Sequence, residues 1–231
     1  MKTIGLIGGM SWESSALYYR SINEETKKRL GGHHNAKSVM VTVDFHEVEH
    51  LQHSGEWERL AEMLADASRS LERAGADFTV LCTNTMHKLA DTITQAASIP
   101  LLHIVDATAE AIRRAGCTRA GLLATRFTME HDFYKDRMRE RFGIDVLVPP
   151  ADARTVVHDV IYQELCPGII RDESREKYRE IICGLGQNGT EAIILGCTEI
   201  ELLISQVDCV LPVYPSTRLH AQMAVDWALA D

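Results

Sequence analysis

Two short stretches carry residues that can do chemistry at the end of an apolar run. "GCTE" (Gly196 to Glu199) places Cys197 between "EAIIL" and the helix-like "TEIELLIS". A thiol at a helix N-terminus is a candidate base, because the aligned amide dipoles there stabilise a thiolate. Thr198 can cap the helix, and Glu199 adds acidity to its first turn. A cysteine at a strand end can equally be a packing residue, and position alone does not separate the two readings. "VLCTNTMH" (Val80 to His87) offers two candidates in a row, Cys82 and Thr83, followed by Asn84 and Thr85.

Other motifs are weaker. "GLIGGMS" (Gly5 to Ser11) lacks the G-x-G-x-x-G spacing of a dinucleotide loop, and no G-K-[ST] follows. It reads as a Gly-rich turn whose amides around Met10 and Ser11 approach an anion such as a carboxylate. "HEVEH" (His46 to His50) matches H-E-x-x-H, the zinc-protease spacing, with His53 beyond it. It directly follows the strand-like "VMVTVDF", carries a second acid, Glu49, and has no clear third ligand. A solvated, charged segment is the preferred reading, with Gln52 able to reach a substrate and no metal site. His33 and His34 fall in "GGHHNA", a loop signature.

The elements that must position these residues alternate along the chain. "TIGLIGG", "SVMVTVDF", "DFTVLCTN", "PLLHIV", "RAGLLAT", "IDVLVP", "EAIILGC" and "VLPVYP" read as strands, with helical stretches between them. The strands are continuous apolar runs, as expected of parallel strands buried on both faces. The pattern predicts an α/β fold.

The chain also repeats itself. "IGLIGG" resembles "AGLLAT" at an offset of 116, "TVLCTNT" resembles "IILGCTE" at 114, and "LLHIVDAT" resembles "VLPVYPST" at 109. The shared order predicts two pseudo-symmetric lobes, each with a mostly parallel sheet flanked by helices. The expected boundaries are 1–97 plus 209–231 for lobe 1 and 98–208 for lobe 2. Ligands of open parallel sheets bind at the carboxyl ends of strands, which puts the active site in the cleft between the lobes. Aligning Thr83-Asn84-Thr85 with Cys197-Thr198-Glu199 pairs Thr83, not Cys82, with Cys197. Adjacent strand side chains point to opposite faces, so a functional Thr83 leaves Cys82 in packing.

Composition narrows the partners. The formal net charge of -9 disfavours nucleic acid and anionic membrane, which attract basic surfaces. No apolar run approaches the roughly 18 residues that span a bilayer. The opening "MKTIGLIGGMSWESS" is too short in its apolar part for a signal peptide and reads as a first strand. The six cysteines form no C-x-x-C pair, which suits a reducing cytoplasm.

Taken together, "IGLIGGMS", "CTNTMH", "LLAT" and "GCTE", in that order and across essentially the whole chain, resemble the cofactor-independent aspartate/glutamate racemase superfamily. The resemblance is closest to its enterobacterial amino-acid racemases. It implies a homodimer of two-lobed subunits, a small-molecule amino-acid substrate, and no pyridoxal phosphate or metal. It also implies two cysteines on opposite faces of the α-carbon, one removing a proton and the other returning one. Here Thr83 stands where the family's first cysteine belongs. The expectation is therefore that Cys197 is the only good base, that Thr83 supplies the opposite proton, and that abstraction favours L-substrates. Asn84, Thr85, Thr125, Thr128 and Thr198, with amides near Met10 and Ser11, would hold the α-carboxylate and ammonium, and Gln52 and Glu199 are further substrate-binding candidates. The lysine of aspartate-specific members is replaced by Cys166 in "QELCPG", so the substrate is aspartate or glutamate or a broader range of amino acids. Two alternatives stay open: a single-cysteine decarboxylase of the same superfamily, and a non-enzymatic amino-acid-binding protein.

Overall fold

The structure, a computed structural model, describes residues 1–230. In chain order the elements are β1 (Ile4–Gly8), α1 (Trp12–Leu30), β2 (Ser38–Thr42), α2 (Phe45–Ser54), α3 (Trp57–Arg73), β3 (Phe78–Leu81), α4 (Ala90–Ala96) and β4 (Leu101–Leu102). There follow α5 (Ile104–Arg114), β5 (Arg119–Leu123), α6 (Arg126–Glu130), α7 (Asp132–Phe142), β6 (Asp145–Leu147), α8 (Ala151–Val160), α9 (Asp172–Gln187), β7 (Ala192–Leu195), β8 (Val213–Pro215) and α10 (Ser216–Leu229). Two four-stranded sheets result, ordered β2-β1-β3-β4 and β6-β5-β7-β8, with every pairing parallel. The second sheet repeats the first, strand for strand. The expected α/β class with two parallel sheets is what forms. No helix among the described residues is long and apolar enough to cross a membrane.

Side-chain alternation divides the first core. Ile4 and Leu6 of β1, with Phe78 and Val80 of β3, join Tyr18, Ile22 and the small residues Ala221, Ala224, Val225 and Ala228 of α10. Ile7 and Leu81, one residue out of phase, join Val48, Leu51, Leu60, Leu64 and Leu71 of α2 and α3. The α10 residues recur every three or four positions, which makes one apolar stripe on a helix.

The chain divides into two compact units, residues 1–104 with those from His220 onward, and Val105–Leu219. The expected crossings at 97/98 and 208/209 both fall too early. Leu101 and Leu102 pair in register with Thr79 and Val80, so β4 stays with the first sheet. Val213–Pro215 pair with Ile193–Leu195, so β8 stays with the second. The change of unit comes in the helices after those strands, α5 and α10. The repeat had matched two equivalent edge strands, but backbone pairing decides which sheet each edge joins. Two further elements differ from expectation. "FHEVEHLQHS" is a helix, α2, started by the Asp44 carboxylate accepting the His46 N–H at 3.0 Å. "TEIEL" is a single 3-10 turn, not an α-helix.

Gly9 marks a close approach that no other residue tolerates. Its φ is +93°, and a Cβ there would lie 2.1 Å from the Val43 carbonyl oxygen. Gly9→Ala should cost roughly 3 kcal/mol or more. Thermal denaturation should show a Tm lower by about 6–12 °C for a chain of this size; an unchanged Tm would refute the reading.

Candidate active site

In each unit the parallel register brings a pair of candidate loops together. Ile7 of β1 pairs with Leu81 of β3, so the loops after these strands leave side by side. The β1 loop carries Met10 and Ser11, both buried, into α1. Ser11 Oγ accepts the Ser14 N–H at 3.3 Å and caps that helix. The Gly9 amide, 2.8 Å from Ser15 Oγ, is committed internally and unavailable to an anion.

The β3 loop carries Cys82, Thr83 and Asn84 into a 3-10 turn, Thr85–Leu89. Cys82 is fully buried in the cluster with Tyr18 and α10. Its Sγ makes only a 3.9 Å contact to the Val80 carbonyl, and burial raises its pKa far above the thiol range. It is a packing residue. Thr83 is partly exposed, while Asn84 and Thr85 are buried. Gln52, on α2, is 4% exposed, and its Nε2 has no hydrogen-bond partner among the described residues. A buried amide donor left unsatisfied is costly, so a ligand acceptor is its natural partner. His46, His50 and His53 are exposed on the same helix. No group of three or more His, Cys, Asp or Glu among the described residues could hold a metal ion.

The second pair repeats the design. Leu123 of β5 pairs with Leu195 of β7. Thr125 and Thr128 follow β5, both buried, with their hydroxyls 3.3 Å apart. Between them Arg126, which sequence reasoning did not weigh, starts α6 and donates its backbone N–H to His158 Nδ1 at 3.2 Å. After β7 comes Gly196, where a Cβ would stand 2.8 Å from Leu122 Cδ1 and 3.0 Å from the Ala124 Cβ. That close packing fixes where Cys197 begins. Thr198 does not cap the following turn; its hydroxyl lies 3.2 Å from that of Thr217.

The electrostatics of Cys197 reverse the expectation. Its Sγ donates to Glu199 Oε2 at 2.9 Å. Cys197 is part-exposed as a residue, but desolvation of its sulfur, first, and then the Glu199 carboxylate raise its pKa well above the ordinary thiol value. Cys166 pushes the same way, and Cys197 in turn raises the pKa of buried Tyr178. The single 3-10 turn has too few aligned peptides to offset this. The resting group is a thiol hydrogen-bonded to a carboxylate, not a thiolate at a helix end. Glu199, two residues on, was visible in the sequence; the proximity of Cys166 and Tyr178 was not, since both arrive from other elements.

The Asp/Glu/hydantoin racemase family model matches residues 7–224. The chain belongs to this family. A candidate Asp/Glu racemase from Yersinia pestis, known as a crystal structure, is 51% identical, with each chain covered in full and a TM-score of 0.95. An aspartate racemase homologue from Pyrococcus horikoshii OT3 is 32% identical, again with full coverage of both chains, at a TM-score of 0.88. The broad specificity amino-acid racemase of Bacillus subtilis (strain 168) is 21% identical over 239 residues, 98% of each chain.

For this racemase-family protein, the Cys197 pKa fixes the sign of its reactivity. The thiol should react slowly with iodoacetamide at pH 7 and faster as pH climbs past the ordinary thiol value. Glu199→Gln removes a charge that opposes ionisation, so Cys197 alkylation at pH 8 should speed up roughly threefold to tenfold. Peptide mapping of the alkylated protein measures it. A slower reaction in the variant would show that Glu199 favours the thiolate.

Proposed function

We propose that this protein is a cofactor-independent amino-acid racemase that inverts the α-carbon by removing and returning a proton. Cys197 works on one face of the substrate and Thr83 on the other. The Cys197–Glu199 hydrogen bond is the observation that supports this reading most directly. It gives the thiol an acceptor for its own proton. As substrate binds, the thiol proton passes to the Glu199 carboxylate, and the thiolate takes the α-proton. The Thr83 hydroxyl delivers its proton to the opposite face while taking one from water. The hydroxide left behind recovers the proton held on Glu199, and every group is reset.

Moving the charge from the Glu199 carboxylate onto the desolvated Cys197 sulfur is unfavourable in the empty protein. The α-ammonium of an amino acid is the charge that would relieve it. The catalytic base then forms only as the substrate cation arrives, which ties the chemistry to amino acids rather than to hydroxy acids. Gln52, Asn84, Thr85, Thr125, Thr128 and Thr198, with the amides near Met10 and Ser11, are the groups proposed to hold the substrate. Oriented donors among them would stabilise the enolate-like charge of the intermediate. Aspartate, glutamate or a broader range of amino acids are the proposed substrates. A hydroxyl is too weak an acid to serve as a resting base, so abstraction favours L-substrates. The asymmetry lies in KM and kcat, because free enantiomers are equal in energy. Assembly is proposed to be homodimeric, as the family resemblance implies.

A protonated single thiol also suits the decarboxylase reading, in which loss of CO2 from a substituted malonate needs only one proton donor. L- and D-amino acids, with the matching α-hydroxy acids, are incubated in D2O and followed by NMR and chiral chromatography. Exchange and inversion should occur for amino acids and not for hydroxy acids. Cys197→Ser should lose exchange by on the order of 100-fold or more. Thr83→Cys should gain turnover on D-substrates. Retained exchange in Cys197→Ser would sink the mechanism, and CO2 release from malonates without inversion would favour the decarboxylase.

A further inference from the structure

His87 lies two residues beyond Thr85, buried at 2% exposure, and the reaction proposed above makes no use of it. Its ring folds back one helical turn. Nδ1 lies 2.7 Å from the carbonyl oxygen of Thr83, and Nε2 lies 3.2 Å from the backbone N–H of Ile104. These partners fix the proton. A carbonyl oxygen only accepts and a peptide N–H only donates, so Nδ1 carries the hydrogen and Nε2 carries the lone pair. The neutral Nδ1–H tautomer is the one that makes both bonds.

Two more imidazoles hold the ring in place. His103, 6% exposed, packs with its centroid 4.5 Å from that of His87. His220, fully buried, meets His87 edge-on at 5.7 Å. By the same logic His220 donates from Nε2 to the Leu102 carbonyl at 3.0 Å and accepts at Nδ1 from the Tyr18 hydroxyl at 2.8 Å. The ring cluster therefore reaches from Tyr18 and α10, through the β4 end, to the peptide of Thr83. All of these residues belong to one compact unit. The bonded atom is the carbonyl of the very residue proposed to return the proton.

We propose that His87 is a positioning residue for the proton-returning half of the reaction: its Nδ1–H clamps the Thr83 peptide and thereby aims the Thr83 hydroxyl. The inference rests on the racemase reading. A displaced hydroxyl should slow delivery to one face while leaving abstraction by Cys197 intact. A misplacement of about 1 Å costs on the order of 100-fold in such a step.

The ratio of inversion to exchange with retention isolates that effect. L-glutamate or L-aspartate in D2O gains deuterium with retention when Cys197 returns the label to the face it came from. It becomes the D-enantiomer only when Thr83 delivers. His87→Leu should lower inversion about tenfold or more relative to exchange with retention. His87→Asn places an amide donor near the Nδ1 position and should recover most of the ratio. Equal losses of inversion and exchange in His87→Leu, or no recovery in His87→Asn, would overturn the role. Exchange that survives Cys197→Ser would instead overturn the racemase mechanism and leave the clamp to be judged separately. That judgement needs no turnover. 15N spectra of histidine-labelled protein should show His87 as the Nδ1–H tautomer, and an Nε2–H tautomer would rule the clamp out.

Discussion

Parallel pairing of the strand that precedes each functional loop governs the rest of the structure. β1 and β3 pair with Ile7 opposite Leu81, and β5 and β7 pair with Leu123 opposite Leu195. In a parallel pair both carboxyl ends point the same way, so both loops emerge at one edge. Met10, Ser11 and Thr83 thus share one edge, and Thr125 and Cys197 share another. The glycines serve this arrangement. Gly9 lets the β1 loop pass against Val43, and Gly196 lets the β7 end lie against Leu122 and Ala124. The apolar clusters behind the first sheet hold its register, because a one-residue slip would turn Cys82 outward and Thr83 into the core.

Within that frame the second loop pair is built against charge. The Cys197 thiol lies beside a carboxylate and close enough to Tyr178 for the two ionisations to oppose each other. Burial and that neighbouring carboxylate hold the thiol's pKa above its ordinary value. That property distinguishes it from a helix-end thiolate, which is reactive before any ligand arrives. In the first loop pair no strong acid or base stands in the proposed proton-returning position. There the protein supplies placement instead, through the buried imidazole cluster behind Thr83.

Particular residues show how far the sequence carries. Continuous apolar runs such as "IGLIG" and "AIIL" predicted buried parallel strands, and those strands form because burial on both faces needs apolar residues at every position. The repeat identified Thr83 as the counterpart of Cys197, and the burial of Cys82 among apolar residues agrees with its predicted place in the core. The family was legible from four short motifs. Other features were not. α2 was missed because "FHEVEHLQHS" is short and mostly polar. The lobe boundaries were misplaced because a sequence match identifies equivalent strands without saying which sheet they join. The 3-10 turn after Cys197 was read as a helix because its composition is helical while its length is set by packing.

The sequence by itself determined the alternation of strands and helices, the internal duplication, and the residue types at the loop ends. These depend on local periodicity and on order along the chain. Tertiary structure alone decided the protonation of Cys197 and the tautomer of His87. Desolvation depends on what surrounds an atom, and Cys166 and Tyr178 reach the thiol from elements distant in the chain. The His87 proton is fixed by two backbone groups, one of them 17 residues away at Ile104. A sequence shows that a thiol or an imidazole is present; only the packed environment sets where its proton lies.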